Sequence, residues 1–145
     1  MRPYRFQTRV RFIDTDASGR IHYTAMFRYF ESAEIEWMRE LGISYIGSKI
    51  GLPRVRVECD FRKAIAYDDL LEIEVRLTKL GRSSFRLEFA ALRAGVAAAQ
   101  GAVVIACMDR ETGQAIRIPD EMRGKLEGVL EPAPNRRQEV RHDFG

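Results

Sequence analysis

Two aspartates, Asp14 and Asp16, are the side chains of this sequence best placed to do chemistry. They follow a stretch of alternating polar and apolar residues, which is typical of a strand, and they precede an apolar stretch with helical spacing that begins near Tyr23. The first backbone N–H groups of a helix have no partners within the helix, so they stabilise a nearby negative charge. A carboxylate beside such donors can act as a base or nucleophile while the donors stabilise an oxyanion. The junction therefore predicts an acyl-transfer site.

The stretch after Tyr23 predicts one helix of about five turns, from about Thr24 to Leu41. Large apolar residues recur there at three- and four-residue steps, and Gly42 supplies a stop signal at the C-terminal end. The apolar positions are Met26, Phe27, Tyr29, Phe30, Ala33, Trp37, Met38 and Leu41. Because they cover a wide arc of the helix, other elements must pack around it.

The remaining sequence predicts strands that can supply this packing. Residues alternate between apolar and polar in segments 4–12, 54–62, 71–78, 85–91 and 98–108, and a short strand is predicted at 115–118. Pro119 and Asp120 open a brief terminal helix that ends near Val129. A strand, a long helix and at least four antiparallel strands predict an α+β fold in which one curved antiparallel sheet is wrapped around one long central helix.

The chain length of 145 residues fits one domain, which we expect to span residues 1–130. Residues 131–145 contain two prolines, many charges and few apolar groups, which predicts a loosely ordered C-terminal tail. Pairing through the edges of the sheet would satisfy exposed backbone groups, so we expect a homodimer or homotetramer.

The composition excludes several classes of protein. No apolar run approaches the length needed to span a bilayer, and the alternating N-terminal residues do not form a secretory signal, so we expect a cytoplasmic protein. The net charge of +3 is accompanied by no nucleic-acid-binding motif, so no nucleic-acid partner is expected. Cys59 and Cys107 lack the spacing of metal ligands, and we expect neither a metal nor a cofactor.

Segments 12–19, 21–23 and 27–33, followed by 66–75 and 81–85, resemble the hotdog-fold acyl-CoA thioesterases of the 4-hydroxybenzoyl-CoA thioesterase family. The resemblance covers about residues 5 to 119, with the motifs in the family's order and spacing. It implies a hotdog fold and hydrolysis of an acyl-CoA thioester to a free carboxylic acid and coenzyme A. Coenzyme A would then be part of the substrate and not a cofactor.

The resemblance also implies roles for individual residues. Asp16 corresponds to the catalytic carboxylate, Asp14 to a supporting residue, and the backbone N–H of Tyr23 to the oxyanion donor. The substrate-binding residues that it implies are Ser18, Gly19 and His22 near the carboxylate, together with Arg82, Ser83 and Ser84 at the pantetheine or nucleotide end of coenzyme A. Many relatives have a tyrosine or tryptophan at the position of His22.

Other interpretations of the same residues remain open at this point. Residues 14–19 could be only a capped turn, or the first half of a calcium loop, although a calcium loop needs a glutamate where Ala25 stands. Another branch of hotdog thioesterases has its acidic catalyst on the central helix, where this sequence has Glu31, Glu34 and Glu36. At the level of function, the alternatives are a non-catalytic module that binds acyl-CoA or an acyl carrier, and a hotdog enoyl-CoA hydratase.

Overall fold

The computed structural model describes residues 3–44 and 48–131, in which five strands form one antiparallel sheet. The elements in chain order are β1 (Tyr4–Arg9), a 3-10 turn (Phe12–Asp14), α1 (Ala25–Leu41), β2 (Ile50–Gly51), β3 (Arg54–Phe61), β4 (Leu70–Leu80), β5 (Ser84–Arg93), β6 (Val96–Ala106), β7 (Met108–Asp109) and α2 (Asp120–Glu127). The sheet has the order β1-β4-β5-β6-β3, and β2 pairs with β7 in a separate ribbon. No helix in the described ranges is both long and apolar enough to cross a bilayer.

The apolar positions of the central strands form one face of the sheet, and α1 packs on that face. In β4, residues Leu71, Ile73, Val75 and Leu77 are buried, while the residues between them are only partly buried. Phe30 of α1 stacks on Phe89 of β5 with the ring centroids 4.7 Å apart. The alternation of the strands and the helical spacing of α1 therefore build one shared core.

Helix α1 begins one residue later than predicted and ends where predicted. Gly42 has a φ of 73°, a left-handed conformation that glycine adopts without a steric penalty. Its backbone N–H donates to the carbonyls near the end of the helix, including that of Arg39 at 3.1 Å. The C-terminal stop is thus an αL cap of the kind that the sequence indicates.

The first strand is shorter than predicted. The alternation continues to Phe12, but β1 ends at Arg9 and the chain turns into the 3-10 segment, where Phe12 is 77% exposed. The prediction that the first strand continues to Phe12 was therefore wrong. The Phe12 ring lies instead edge-on against Tyr67, with the ring centroids 5.7 Å apart.

Two other predictions at the strands need correction. Val55 and Val57 are 61% and 50% exposed, because β3 is an edge strand that α1 does not cover. Segment 115–118 forms no strand and contributes only an isolated bridge between Met108 and Ala115. Alternation alone predicts which residues share a face of a strand, but it does not show whether another element covers that face.

The chain after α2 is bound to the sheet for longer than predicted. Leu130 forms a parallel bridge with Leu77, and the Glu131 N–H donates to the Leu77 carbonyl at 2.7 Å. Glu131 also forms an ion pair with Arg76 at 3.1 Å, so the prediction of a tail that begins at residue 131 was wrong at that residue. The rest of the predicted tail, residues 132–145, lies outside the described residues.

Gly101 marks the closest approach of α1 to the sheet, and it carries a testable prediction. A Cβ at this position would lie 2.5 Å from the Glu58 carbonyl oxygen and 2.6 Å from a ring carbon of Phe30. We expect Gly101→Ala to lower the free energy of unfolding by about 1–3 kcal/mol, because a backbone oxygen and a packed ring must both move. Chemical denaturation measures this change. Gly124→Ala is the matched control, since a Cβ there meets nothing within 4 Å, and equal stability loss in the two variants would contradict the prediction.

Candidate active site

The loop between β1 and α1 folds back on itself and is held by the turn that precedes β4. The Asp16 N–H donates to the Arg20 carbonyl at 2.8 Å, and the Ile21 N–H donates to the Ile65 carbonyl at 2.7 Å. Gly19 has a φ of 82°, a conformation that a side chain would strain, and its carbonyl accepts from the Tyr67 N–H at 3.1 Å. These contacts fix Asp16 at the tip of a closed backbone turn.

Asp14 attaches this loop to the first turns of α1. Its carboxylate is buried, and its two oxygens accept hydrogen bonds from the Arg28 guanidinium and, at 2.7 Å, from the Tyr29 hydroxyl. The Tyr29 hydroxyl in turn accepts from the Arg11 N–H at 3.1 Å. One phenol therefore bridges both ends of the 3-10 turn to the helix.

The charge of Asp14 is compensated where it is buried. Burial alone would raise the pKa of Asp14, but the hydrogen bonds from Arg28 and Tyr29 and the positive charge of Arg28 outweigh it and lower the pKa below 3.8. Burial and the neighbouring Asp14 raise the pKa of Tyr29, so the phenol keeps its proton and remains the donor. Asp14 thus supports the loop as an ionised, fully engaged carboxylate.

Asp16 is the opposite case, because it is exposed and its only hydrogen bonds within the described residues are local. One carboxylate oxygen accepts from the Ser18 hydroxyl and, at 2.8 Å, from the Ser18 N–H. These two hydrogen bonds lower the pKa of Asp16 below its ordinary value of 3.8, so the side chain is a carboxylate at neutral pH. Its second oxygen is open to solvent and to a reactant.

The helix start leaves the Tyr23 N–H without an acceptor among the described residues. The Ala25 N–H donates to the His22 carbonyl at 2.9 Å, and the Thr24 N–H donates to the His22 ring at 3.2 Å. The Tyr23 N–H has no acceptor in the part of the chain that is described, and Tyr23 itself is 69% exposed. An unpaired, exposed N–H at this point can bind an oxyanion.

The residues that the family resemblance places at coenzyme A lie away from Asp16 within one chain. Arg82, Ser83 and Ser84 follow the end of β4, whereas the Asp16 loop is beside its beginning, where Arg9 pairs with Leu70. The 11 residues of β4 separate these two ends by about 35 Å. The fold thus brings Ser18, Gly19, His22 and Tyr23 to Asp16, but it does not bring the Arg82 segment there in a single subunit.

The glutamates of α1 that were considered as alternative catalysts lie in surroundings that differ from those of Asp16. Glu34 is 1% exposed and its carboxylate lies 2.7 Å from the Arg54 guanidinium; burial is the larger influence and raises the pKa of Glu34. Glu36 pairs with Arg39, and Glu31 is exposed. No group of His, Cys, Asp or Glu side chains in segments 3–44 and 48–131 is arranged to hold a metal ion.

A cavity of about 440 Å³ lies at the other end of α1. Trp37 and Leu41 line it together with Val75 and Leu77 of β4, and Asp16 is not among its lining residues. The candidate site is nevertheless the Asp16 loop, because this loop has both an ionised carboxylate and a backbone N–H without an acceptor among the described residues.

Sequence reasoning missed the Arg28 and Tyr29 contacts to Asp14. Tyr29 belongs to the apolar stripe of the helix, so the sequence predicts only that it lies in the core. A signal for Arg28 was present, since a buried carboxylate needs a cation and Arg28 is the only Lys or Arg between residues 23 and 38. The missing information was that Asp14 is buried, which alternation in a loop does not show.

Comparison with known proteins assigns the chain to a family. The sequence profile of the thioesterase-like superfamily matches residues 10–126. A 1,4-dihydroxy-2-naphthoyl-CoA hydrolase of Synechococcus elongatus is 31% identical over 133 residues, which are 88% of this chain and 97% of that protein.

Solved structures show the same relationship. A protein of Aquifex aeolicus superposes with a TM-score of 0.81 at 28% identity, covering 86% of this chain and 99% of that one. A gentisyl-coenzyme A thioesterase superposes with a TM-score of 0.78 at 27% identity, covering 84% and 98%. The resemblance to the hotdog thioesterases is confirmed. The chain belongs to the thioesterase-like superfamily, has the hotdog fold and is a thioester hydrolase.

Proposed function

We propose that this protein hydrolyses an acyl-CoA thioester, with Asp16 as general base or nucleophile and the Tyr23 N–H as oxyanion donor. The observation that carries the proposal is the pairing of an ionised, exposed carboxylate with an unpaired backbone N–H on one anchored loop. Asp14, held by Arg28 and Tyr29, supports that loop. The named relatives that act on naphthoyl-CoA and gentisyl-coenzyme A thioesters support coenzyme A as the leaving group.

Asp16 and the Tyr23 N–H have different roles in the proposed reaction. In one route Asp16 takes a proton from water, and the resulting hydroxide attacks the thioester carbon; in the other, Asp16 attacks directly and water then hydrolyses the mixed anhydride. In both routes the carbonyl oxygen becomes an oxyanion, the carbon–sulfur bond breaks and coenzyme A leaves as a thiolate that takes up a proton. One fixed N–H donor stabilises such an oxyanion by roughly 2.7 to 4 kcal/mol.

We further propose that the sheet wraps α1 as the central helix of a homodimer, joined along β3, which is the last strand in the order of the five-stranded sheet. Val55 and Val57 on this strand and Ile35 on α1 are large apolar residues left exposed in the single chain. A strand at the end of a sheet with exposed valines is suited to association with a second copy. Assembly as a tetramer and location in the cytoplasm remain predictions.

A two-fold axis at β3 would also complete the site. Paired β3 strands run antiparallel, so each end of one sheet lies beside the opposite end of its partner. The Asp16 loop would then lie at the same end as the partner's 81–84 segment, although the same segment of its own chain is a full strand away. This geometry supports a substrate that lies across two subunits, with the acyl group at Asp16 and coenzyme A extending to the partner.

A thiol-release assay with a panel of acyl-CoAs tests the proposed activity. We expect steady release of coenzyme A by the purified protein; tight binding without release would favour a non-catalytic acyl-CoA module, and hydration of an enoyl-CoA would favour a hydratase. A single turnover in ¹⁸O-labelled water separates the two routes. A general base places label in the acid product at once, whereas label in Asp16 identifies a nucleophile whose mixed anhydride is opened by water at the aspartyl carbon, so that the product takes the unlabelled aspartate oxygen.

A further inference from the structure

The ring of His22 accepts a hydrogen bond from the backbone at the helix start. The Thr24 N–H donates to Nδ1 at 3.2 Å, and the Thr24 hydroxyl oxygen lies 2.8 Å from the same atom. Nδ1 must be unprotonated to accept from an N–H group, so a neutral ring has its proton on Nε2. The half-buried ring also stacks on Tyr23, with the centroids 4.7 Å apart and the planes at 24°.

These contacts decide which donor of the helix start stays free. His22 accepts from Thr24 through its ring and from Ala25 through its carbonyl, while its own N–H donates to the Asp14 carbonyl at 2.8 Å. The peptide that carries the Tyr23 N–H is held through its other end, the His22 carbonyl, while the N–H itself makes no hydrogen bond to the described chain. The orientation of that N–H is therefore set by its two neighbours.

We propose that His22 is a positioning residue for this reaction: its neutral ring, by accepting from the Thr24 N–H, aims the Tyr23 N–H at the oxyanion. The inference rests on the proposed role of the Tyr23 amide and adds a specific requirement to it, because the site is correctly formed only when His22 is uncharged. His22 touches the reacting atoms in no step and acts through the backbone of residues 23 and 24.

Protonation of the ring removes the contact. A protonated Nδ1 is a donor and cannot accept from Thr24, and its positive charge faces the partial positive charge of the helix start. The charged and titratable groups around the ring are Asp16 and Tyr23 on its own segment and Asp14, whose charge Arg28 compensates. On the turn packed against the loop, the two aspartates are paired, Asp68 with Arg9 and Asp69 with Arg93.

The acid dependence of activity therefore separates His22 from Asp16. The hydrogen bonds from Ser18 lower the pKa of Asp16 below its ordinary value, so its own loss of function on protonation is shifted toward more acid pH. A fall in kcat/KM on acidification that is absent when the side chain at position 22 cannot take up a proton is the signature of His22.

The test compares kcat/KM between pH 4.5 and 9 for wild type, His22→Ala and His22→Asn. An asparagine oxygen two residues before Thr24 can accept the same N–H, as in an Asx turn, but it does not titrate. We expect His22→Ala to lower kcat about tenfold at pH 8 with little change in KM, since the donor is misaimed in the transition state. We expect His22→Asn to restore kcat to within about threefold of wild type and to lack the acid limb.

The controls keep the inference distinguishable from the proposed function. His142→Asn changes the other histidine of the chain, outside the described residues, and should keep the acid limb. Loss of several orders of magnitude in His22→Asn would make His22 a direct base, and persistence of the limb in that variant would exclude His22 as its origin; either result overturns the inference. A failure of the proposed function is seen separately, as unchanged turnover in Asp16→Asn.

Discussion

Asp16→Asn should lower kcat/KM for acyl-CoA hydrolysis by about 10² to 10⁴-fold, the range expected when a general base is removed. The amide has almost the same shape as the carboxylate, and its oxygen can still accept from Ser18 at the turn. It can neither take a proton from water nor attack a carbonyl. The loss should appear mainly in kcat, because the substrate still binds while the group that reacts is absent.

The stability of this variant should change little. Asp16 is exposed, and its side-chain hydrogen bonds are with residues of its own turn, chiefly Ser18 two residues away. A thermal melt therefore serves as the folding check. Asp109→Asn is the matched control, because one Asp109 carboxylate oxygen accepts from the Glu111 N–H at 2.7 Å in the same local pattern. Turnover by Asp16→Asn equal to that of the Asp109 control would remove Asp16 from the mechanism.

The sequence predicted those parts of the site that depend on neighbouring residues. The turn at residues 16–19 and the helix start after Tyr23 are local, so their side-chain types and order are sufficient to place them. The αL stop at Gly42 is local in the same sense. By contrast, the burial of Asp14 depends on how the 3-10 turn meets α1, and no local pattern shows that Tyr29 turns its hydroxyl toward the carboxylate.

The exposure of strand residues was harder to predict from the sequence than the local turns. Val55 and Val57 alternate as well as the buried Ile73 and Val75 do, and only the strand order distinguishes an edge strand from a central one. The length of β4 separates Arg82 from Asp16. The sequence predicts both as site residues of one chain, but β4 runs between them and places them at opposite ends of the sheet.

The most demanding prediction concerns the proposed dimer, in which each site combines Asp16 of one subunit with Arg82 of the other. Asp16→Asn and Arg82→Ala chains, expressed together with different tags and purified as the mixed dimer, should have about half the wild-type activity at low substrate concentration. In this dimer, one site receives both altered residues and the other receives none. Each variant alone should be far less active, because both of its sites are altered.

The control dimer has the same two substitutions, but both are on one of its two chains. A chain that carries both Asp16→Asn and Arg82→Ala, paired with a wild-type chain, gives one site without the carboxylate and one without the guanidinium, so little activity should remain. If Arg82 instead belonged to the site of its own subunit, the control dimer would have about half the wild-type activity and the first mixed dimer would have little. The wild-type subunit of the control dimer would then contain an intact site, and the first mixed dimer would contain none. The comparison therefore decides between a shared and a self-contained site even if Arg82→Ala alone has only a moderate effect, because the two dimers contain identical substitutions.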